Sequence, residues 1–158
     1  MIKINIGCGP VIKEGWVNCD YYPRDDRVMK IDLNHLPLPF EDDYADEILL
    51  SHVLEHMENR YEIIKECHRV LKRGGILRVK LPIHANRLEH ASFYHQVNFF
   101  QTLYMNEAQN YGACDFNLVS LRKRVYPCRS RIRERWLRLV SWLDSLIYFE
   151  YDWVLKKK

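Results

Sequence analysis

Long apolar runs are missing from this chain of 158 residues. Its apolar stretches are strand-sized, well short of the roughly 20 residues that a membrane-crossing helix needs, so no transmembrane segment is expected. No basic-then-apolar leader is expected either, because Met1-Ile2-Lys3-Ile4 enters a strand pattern at once. Paired cysteine motifs are also missing. The five cysteines (Cys8, Cys19, Cys67, Cys114 and Cys128) are odd in number and scattered, with no CxxC pair. That argues against a disulfide framework or a zinc site and for reduced thiols in a cytoplasm. Internal repeats and low-complexity segments are absent as well, which excludes solenoid and fibrous classes.

What is present reads as one ordinary globular domain over residues 1–158, with 47% hydrophobic and 28% charged residues. The net charge of +3 is uneven in placement. Arg122, Lys123, Arg124, Arg129, Arg131, Arg133, Arg135 and Arg138 face only Glu134 between Leu121 and Arg138, so the rest of the chain is net acidic. Such a local field favours an anionic partner.

Along the chain, Ile2 to Ile6 alternates and stops at Gly7, a first strand ending in a tight turn. Gly15–Asp20 and Val28–Asp32 read as the second and third strands, and Ala45–Ser51 as the fourth. The Pro- and acid-rich run from Leu36 to Asp43 reads as loop. Ile63, Ile64, Cys67, Val70 and Leu71 share one face of a helix, for which Gly74-Gly75 is the expected left-handed stop. Ile76–Leu81 is a fifth strand that Pro82 should end. Leu118–Tyr126 and Ile147–Leu155 are expected as the sixth and seventh. Alternation of this kind predicts an α/β fold: a Rossmann-like, mostly parallel sheet of about seven strands flanked by helices, the last strand antiparallel.

In such a sheet, ligands sit at the carboxyl ends of the strands, where Gly7, Gly9, Asp20 and Asp32 all fall. Glycines there let the backbone approach a ligand, and a carboxylate ending the second strand is placed to accept bonds from ribose hydroxyls. Phosphate signatures are missing. Ile12 stands where a dinucleotide fingerprint needs a third glycine, Asp20 follows Gly7 by only 13 residues, and there is no GKS or GKT triplet. A nucleoside ligand without phosphates fits better.

Residues Ile4-Asn5-Ile6-Gly7-Cys8-Gly9-Pro10 and Gly15-Trp16-Val17-Asn18-Cys19-Asp20 resemble the opening of class I S-adenosylmethionine-dependent methyltransferases with a shortened first helix. Further motifs of that family follow in order. They are Ile31-Asp32-Leu33, Leu38-Pro39-Phe40-Glu41-Asp42, Ala45-Asp46-Glu47-Ile48, Ser51-His52-Val53-Leu54-Glu55-His56, and the helix end Arg69 to Gly75. The resemblance covers residues 2 to about 82 and echoes again at His95 to Phe99. It implies S-adenosylmethionine as cofactor. Gly7, Cys8 and Gly9 would border its methionine part, Asp20 would hold its ribose, Asp32 and Leu33 would frame its adenine, and Asn5 and Tyr21 would also bind it. Ser51 and His52 would close the pocket beneath the sulfonium. The methyl acceptor implied is a small molecule or a glycan.

His52, Val53, Leu54, Glu55 and His56 also spell HxxEH, the string of inverted zinc proteases, which leaves a zinc hydrolase as a distant alternative. No metal is expected in the methyltransferase reading. His95 is the first candidate for a catalytic base, since histidine is poised near neutral pH, and His52 is the second. His84 and His90 are weaker candidates.

Residues 127–149 are expected to form a basic amphipathic helical segment, with Ile132, Trp136, Leu139, Val140 and Leu143 on its apolar face. Its arginines, from Arg129 to Arg138, either form a solvated face or meet an anionic partner, and the 129–149 helix offers a homodimer contact. A nucleic-acid or membrane-surface binding protein that keeps the fold without catalysis is therefore the main alternative.

Overall fold

The computed structural model describes residues 1–84, 115–126 and 148–158. The described residues form seven strands: β1 (Lys3–Ile6), β2 (Val17–Asp20), β3 (Val28–Lys30), β4 (Ala45–Ser51), β5 (Leu71–His84), β6 (Phe116–Tyr126) and β7 (Tyr148–Lys157). A short 3-10 turn over Leu54–His56 and the helix α1 (Arg60–Val70) lie between β4 and β5.

The strands make one sheet in the order β3-β2-β1-β4-β5-β7-β6. β1 to β5 run parallel, whereas β7 is antiparallel to both of its neighbours. The order reverses at β1, between β2 and β4, which opens a crevice at the carboxyl ends of these strands. The expected fold class is the one found.

Burial follows from that topology. Ile48, Leu49 and Leu50 of β4 are all buried, as a central parallel strand covered on both faces requires. Ile63, Ile64, Cys67 and Val70 of α1 join Ile4, Ile6, Leu50 and Leu77 in a single core that reaches Trp153 and Leu155 on β7. Each fully buried large aliphatic side chain contributes about 1.5–3 kcal/mol, so these positions dominate the stability of the sheet.

Two expected boundaries move. The helix ends at Val70, before the glycines, because Leu71 is fully buried and pairs with Ala45 of β4. Lys72 to Gly75 then bulge out before Ile76 pairs with Glu47, and Gly74 supplies the left-handed turn (φ +78) of that bulge. Pro82 does not end β5, which continues to His84 and pairs Pro82 with Glu150 of β7. β4 stops at Ser51 opposite Lys80, so beyond this point β5 has, among the described residues, a ladder to β7 only and tolerates a residue without an N–H. The expected basic helix falls largely outside the described residues. Its last two positions, 148 and 149, begin β7 instead of ending a helix.

Candidate functional site

Because β1 to β4 are parallel and adjacent, their carboxyl ends deliver Gly7, Asp20, Asp32 and His52 to one edge of the sheet. They line a cleft of about 390 Å³ together with Gly9, Tyr21 and Leu33. Its walls are completed by Ile31, Asn34, Val53, His56 and Met57.

The turn after β1 is built on left-handed backbone at Gly7 (φ +66) and Gly9 (φ +52). A Cβ at Gly7 would collide with Val53 Cγ2, so this glycine lets the turn close onto the segment after β4. A Cβ at Gly9 would meet no protein atom within 4 Å. Gly9 thus keeps free a volume on the cleft wall that a side chain would fill.

Asp20 ties this turn to the second strand. Its Oδ2 accepts the Gly9 amide at 2.8 Å and its Oδ1 accepts the Tyr22 amide at 2.9 Å. Each carboxylate oxygen has a second lone pair, so both remain able to take a ligand hydroxyl. Asp32 is committed differently. Asn34 donates its amide (2.9 Å) and its Nδ2 (3.2 Å) to Oδ1, while His35 Nδ1 lies 2.8 Å from Oδ2. The Asn34 amide, helped by His35, holds the Asp32 carboxyl below the usual carboxylate range, against a smaller opposing effect of burial.

Three predicted cofactor residues are placed elsewhere than on the cleft wall. Asn5 is buried and donates to Val11 O (3.1 Å) and to Asn18 Oδ1 (3.0 Å). Asn18 in turn accepts the Lys13 amide and donates to the Lys13 and Trp16 carbonyls. These two side chains organise the loop that stands where a longer first helix was absent from the sequence pattern. Cys8 points inward with Cys19, its amide bonded to Cys19 O at 3.0 Å. Burial, and then the nearby Cys8 and Asp20, push the Cys19 thiol up to about 12, and burial likewise raises Cys8, which disfavours the thiolate at both. Ser51 is the last residue of β4 and pairs with Lys80.

His52 follows in left-handed backbone (φ +57), its amide donating to Lys80 O at 3.0 Å. Its ring stands between two carboxylates, with Nε2 at 3.0 Å from Glu150 Oε2 and Nδ1 at 3.5 Å from Glu55 Oε1. Glu55 above all draws the imidazole above its ordinary range; burial opposes this, and Glu150 adds to the rise. His56 of the HxxEH string lines the cleft rather than joining His52 in a ligand set. Among the described residues no group of three or more His, Cys, Asp or Glu is arranged to hold a metal.

His90 and His95 lie outside the described residues, as does the basic stretch 127–147; His84 ends β5. Sequence reasoning passed over Val53 and Met57 as cleft residues, although Val53 lies within the Ser51–His56 motif and Met57 directly follows it. For Glu150 no sequence signal existed, since it lies 98 residues from His52.

The mostly parallel sheet with its antiparallel β7 is a Rossmann-like fold, one shared with solved methyltransferase structures. Residues 17–79 match the family described as methyltransferase domain. A probable S-adenosylmethionine-dependent methyltransferase of Mycobacterium tuberculosis is 39% identical over 61 residues, which are 39% of this chain and 21% of that protein. The chain thus spans about a fifth of that relative's length. Among solved structures, the MccD protein superposes with a TM-score of 0.66 at 15% identity, over 99% of this chain and 89% of that one. A SAM-dependent methyltransferase from Archaeoglobus fulgidus gives 0.61 at 18% identity, over 98% and 85%. The family match takes in less than half of the chain, and the solved structures share its fold at low identity.

Proposed function

We propose that the chain binds S-adenosylmethionine in this cleft and transfers its methyl group to a small-molecule or glycan acceptor. The observation that carries the reading is the joint at Gly9. Its amide fixes the Asp20 carboxylate, and its missing side chain leaves space for a ligand beside that carboxylate. The cofactor's donors fit this set: two ribose hydroxyls for Asp20 and an apolar-walled slot at Ile31, Leu33 and Met57 for the adenine. When bound, the cofactor supplies a methyl group on a positively charged sulfur, open to in-line displacement. The protein's part is alignment: the rigid turn of Gly7 and Gly9 on one side and His52 with Val53 on the other would fix the methyl carbon for an acceptor. Asp32 would reach the adenine amino group by giving up its bond to His35, an exposed side chain.

His95 is proposed as the base for the acceptor. The basic run Arg129–Arg138 is proposed as the contact for an anionic partner, and the 129–149 stretch as a homodimer contact. A reducing, cytoplasmic setting fits the free, un-ionised thiols of Cys8 and Cys19. Among the described residues no helix is long and apolar enough to cross a membrane.

Isothermal titration with S-adenosylmethionine and S-adenosylhomocysteine tests the cofactor. Saturable binding of both is expected, with Asp20→Ala at least about tenfold weaker, as loss of charge-assisted bonds worth about 1.5–3 kcal/mol requires. Unchanged circular dichroism would confirm that the variant stays folded. Absence of binding to the intact protein, or equal affinity in the variant, would refute the reading.

A further inference from the structure

The HxxEH string and the last strand converge on one ring, and the use of that ring is not settled by the cofactor reading. His52 stands at the cleft wall with its ring about one-third exposed, while the side chains that flank it, Glu55 and Glu150, are 4% and 7% exposed. Both ring nitrogens face a carboxylate oxygen. A neutral imidazole carries one N–H and can donate to only one of them; the other nitrogen would then set its lone pair against a buried anion. The doubly protonated ring presents an N–H to both glutamates at once.

We propose that Glu150 is a positioning residue of the cofactor cleft: with Glu55 it clamps His52 as an imidazolium that shapes the wall and does not take a proton from the methyl acceptor. The clamp joins three elements. His52 leaves β4, Glu55 sits in the 3-10 turn that follows, and Glu150 comes from β7. The neighbouring Val53 packs on Gly7, so a ring fixed by the clamp also fixes the segment that braces the glycine turn. Other charges frame the group. Asp152 and Lys80 are paired in the β5–β7 ladder, on the same sheet face as Glu150 by alternation. His56, Asp20 and Asp32 share the cleft. Among the described residues the two carboxylates at 3.0 and 3.5 Å are the ion-pair partners of the His52 ring, and both favour its protonated form. As an imidazolium His52 has no lone pair for an acceptor proton, so the base comes from another residue.

The assignment of the clamp to a cofactor wall rests on the proposed S-adenosylmethionine site, so two readouts are separated. The first needs no ligand: ring nitrogen-15 spectra of the intact chain, with His52 assigned by its loss in His52→Gln. Two protonated ring nitrogens are expected at pH 7, with a titration midpoint above the ordinary value of 6.5, which moves down in Glu150→Gln. A neutral His52 at pH 7, or a midpoint that Glu150→Gln leaves unmoved, would overturn the clamp. Should Glu150→Gln not fold, Glu55→Gln and the intact-chain spectrum decide the same question. The second readout is the dissociation constant of S-adenosylhomocysteine. A roughly fivefold or greater weakening is expected in Glu150→Gln, the loss of about one modest polar interaction. A lowered midpoint with unchanged affinity would refute the positioning role, whereas no binding by the intact protein would sink the cofactor reading and leave the clamp standing.

Discussion

At Gly7 the backbone takes φ +66 and passes so near Val53 that a Cβ would run into its Cγ2 atom. Gly7→Ala therefore meets both a strained conformation and a crowded one, and thermal unfolding should report a loss of about 2–4 kcal/mol. Gly9 differs, since a methyl there would enter open cleft space. Gly9→Ala should retain most of the stability, apart from the cost of its own left-handed backbone, and lose cofactor affinity; melting curves and titration calorimetry on the two variants separate the two roles. His52 carries a pH signature. Its folded pKa is raised, so its contribution to stability is fully present below the unfolded value of about 6.5 and fades as pH rises through the folded value. Denaturant midpoints measured from pH 6 to pH 9 should fall for the intact chain, and His52→Gln should flatten part of that slope.

Between α1 and the loop before β4, a single arginine does the fastening. Arg69 donates to both oxygens of Glu66, to Asp42 Oδ1, and to the carbonyls of Leu38 (3.4 Å) and Phe40 (2.9 Å), while Glu66 Oε1 also accepts the Leu38 amide at 2.7 Å. Arg69→Ala should cost about 2 kcal/mol and speed amide exchange at Leu38 and Phe40 before it affects β1 or β4. Elements of this kind were legible in the sequence wherever a local period wrote them. The alternation of Ile4 and Ile6, the continuous Ile48 to Leu50, and the Ile63 to Val70 face all appear where the pattern placed them. Errors arose where a distant partner overruled a local rule. Leu71 left the helix early to lie beside Ala45, and Pro82 stayed in its strand because β4 had already ended. Within the cleft, Asp20 and the glycines stand where their position after strands put them. The bonding of Asn5 to Asn18 and Val11 was not legible, because it is a property of the folded loop. Glu150 was out of reach for the same reason.

For the whole molecule, a ligand that binds only the folded chain adds stability by mass action. S-adenosylmethionine at about 100 times its dissociation constant should add about 2.7 kcal/mol, a rise of roughly 5–10 °C in Tm for a domain of this size. Scanning calorimetry at several ligand concentrations checks it; a Tm independent of concentration would contradict the proposed site. The strand order carries a consequence for the order of synthesis. β7 lies between β5 and β6, yet it is the last of the three to leave the ribosome. Until β7 emerges, β5 and β6 each lack, among the described strands, the neighbour that joins them. The nascent chain therefore carries an unpaired strand through much of its translation, exposed to stray pairing with other chains. Sealing that edge and bringing Glu150 to the ring of His52 are one event, so the cleft wall matures only when the sheet is closed.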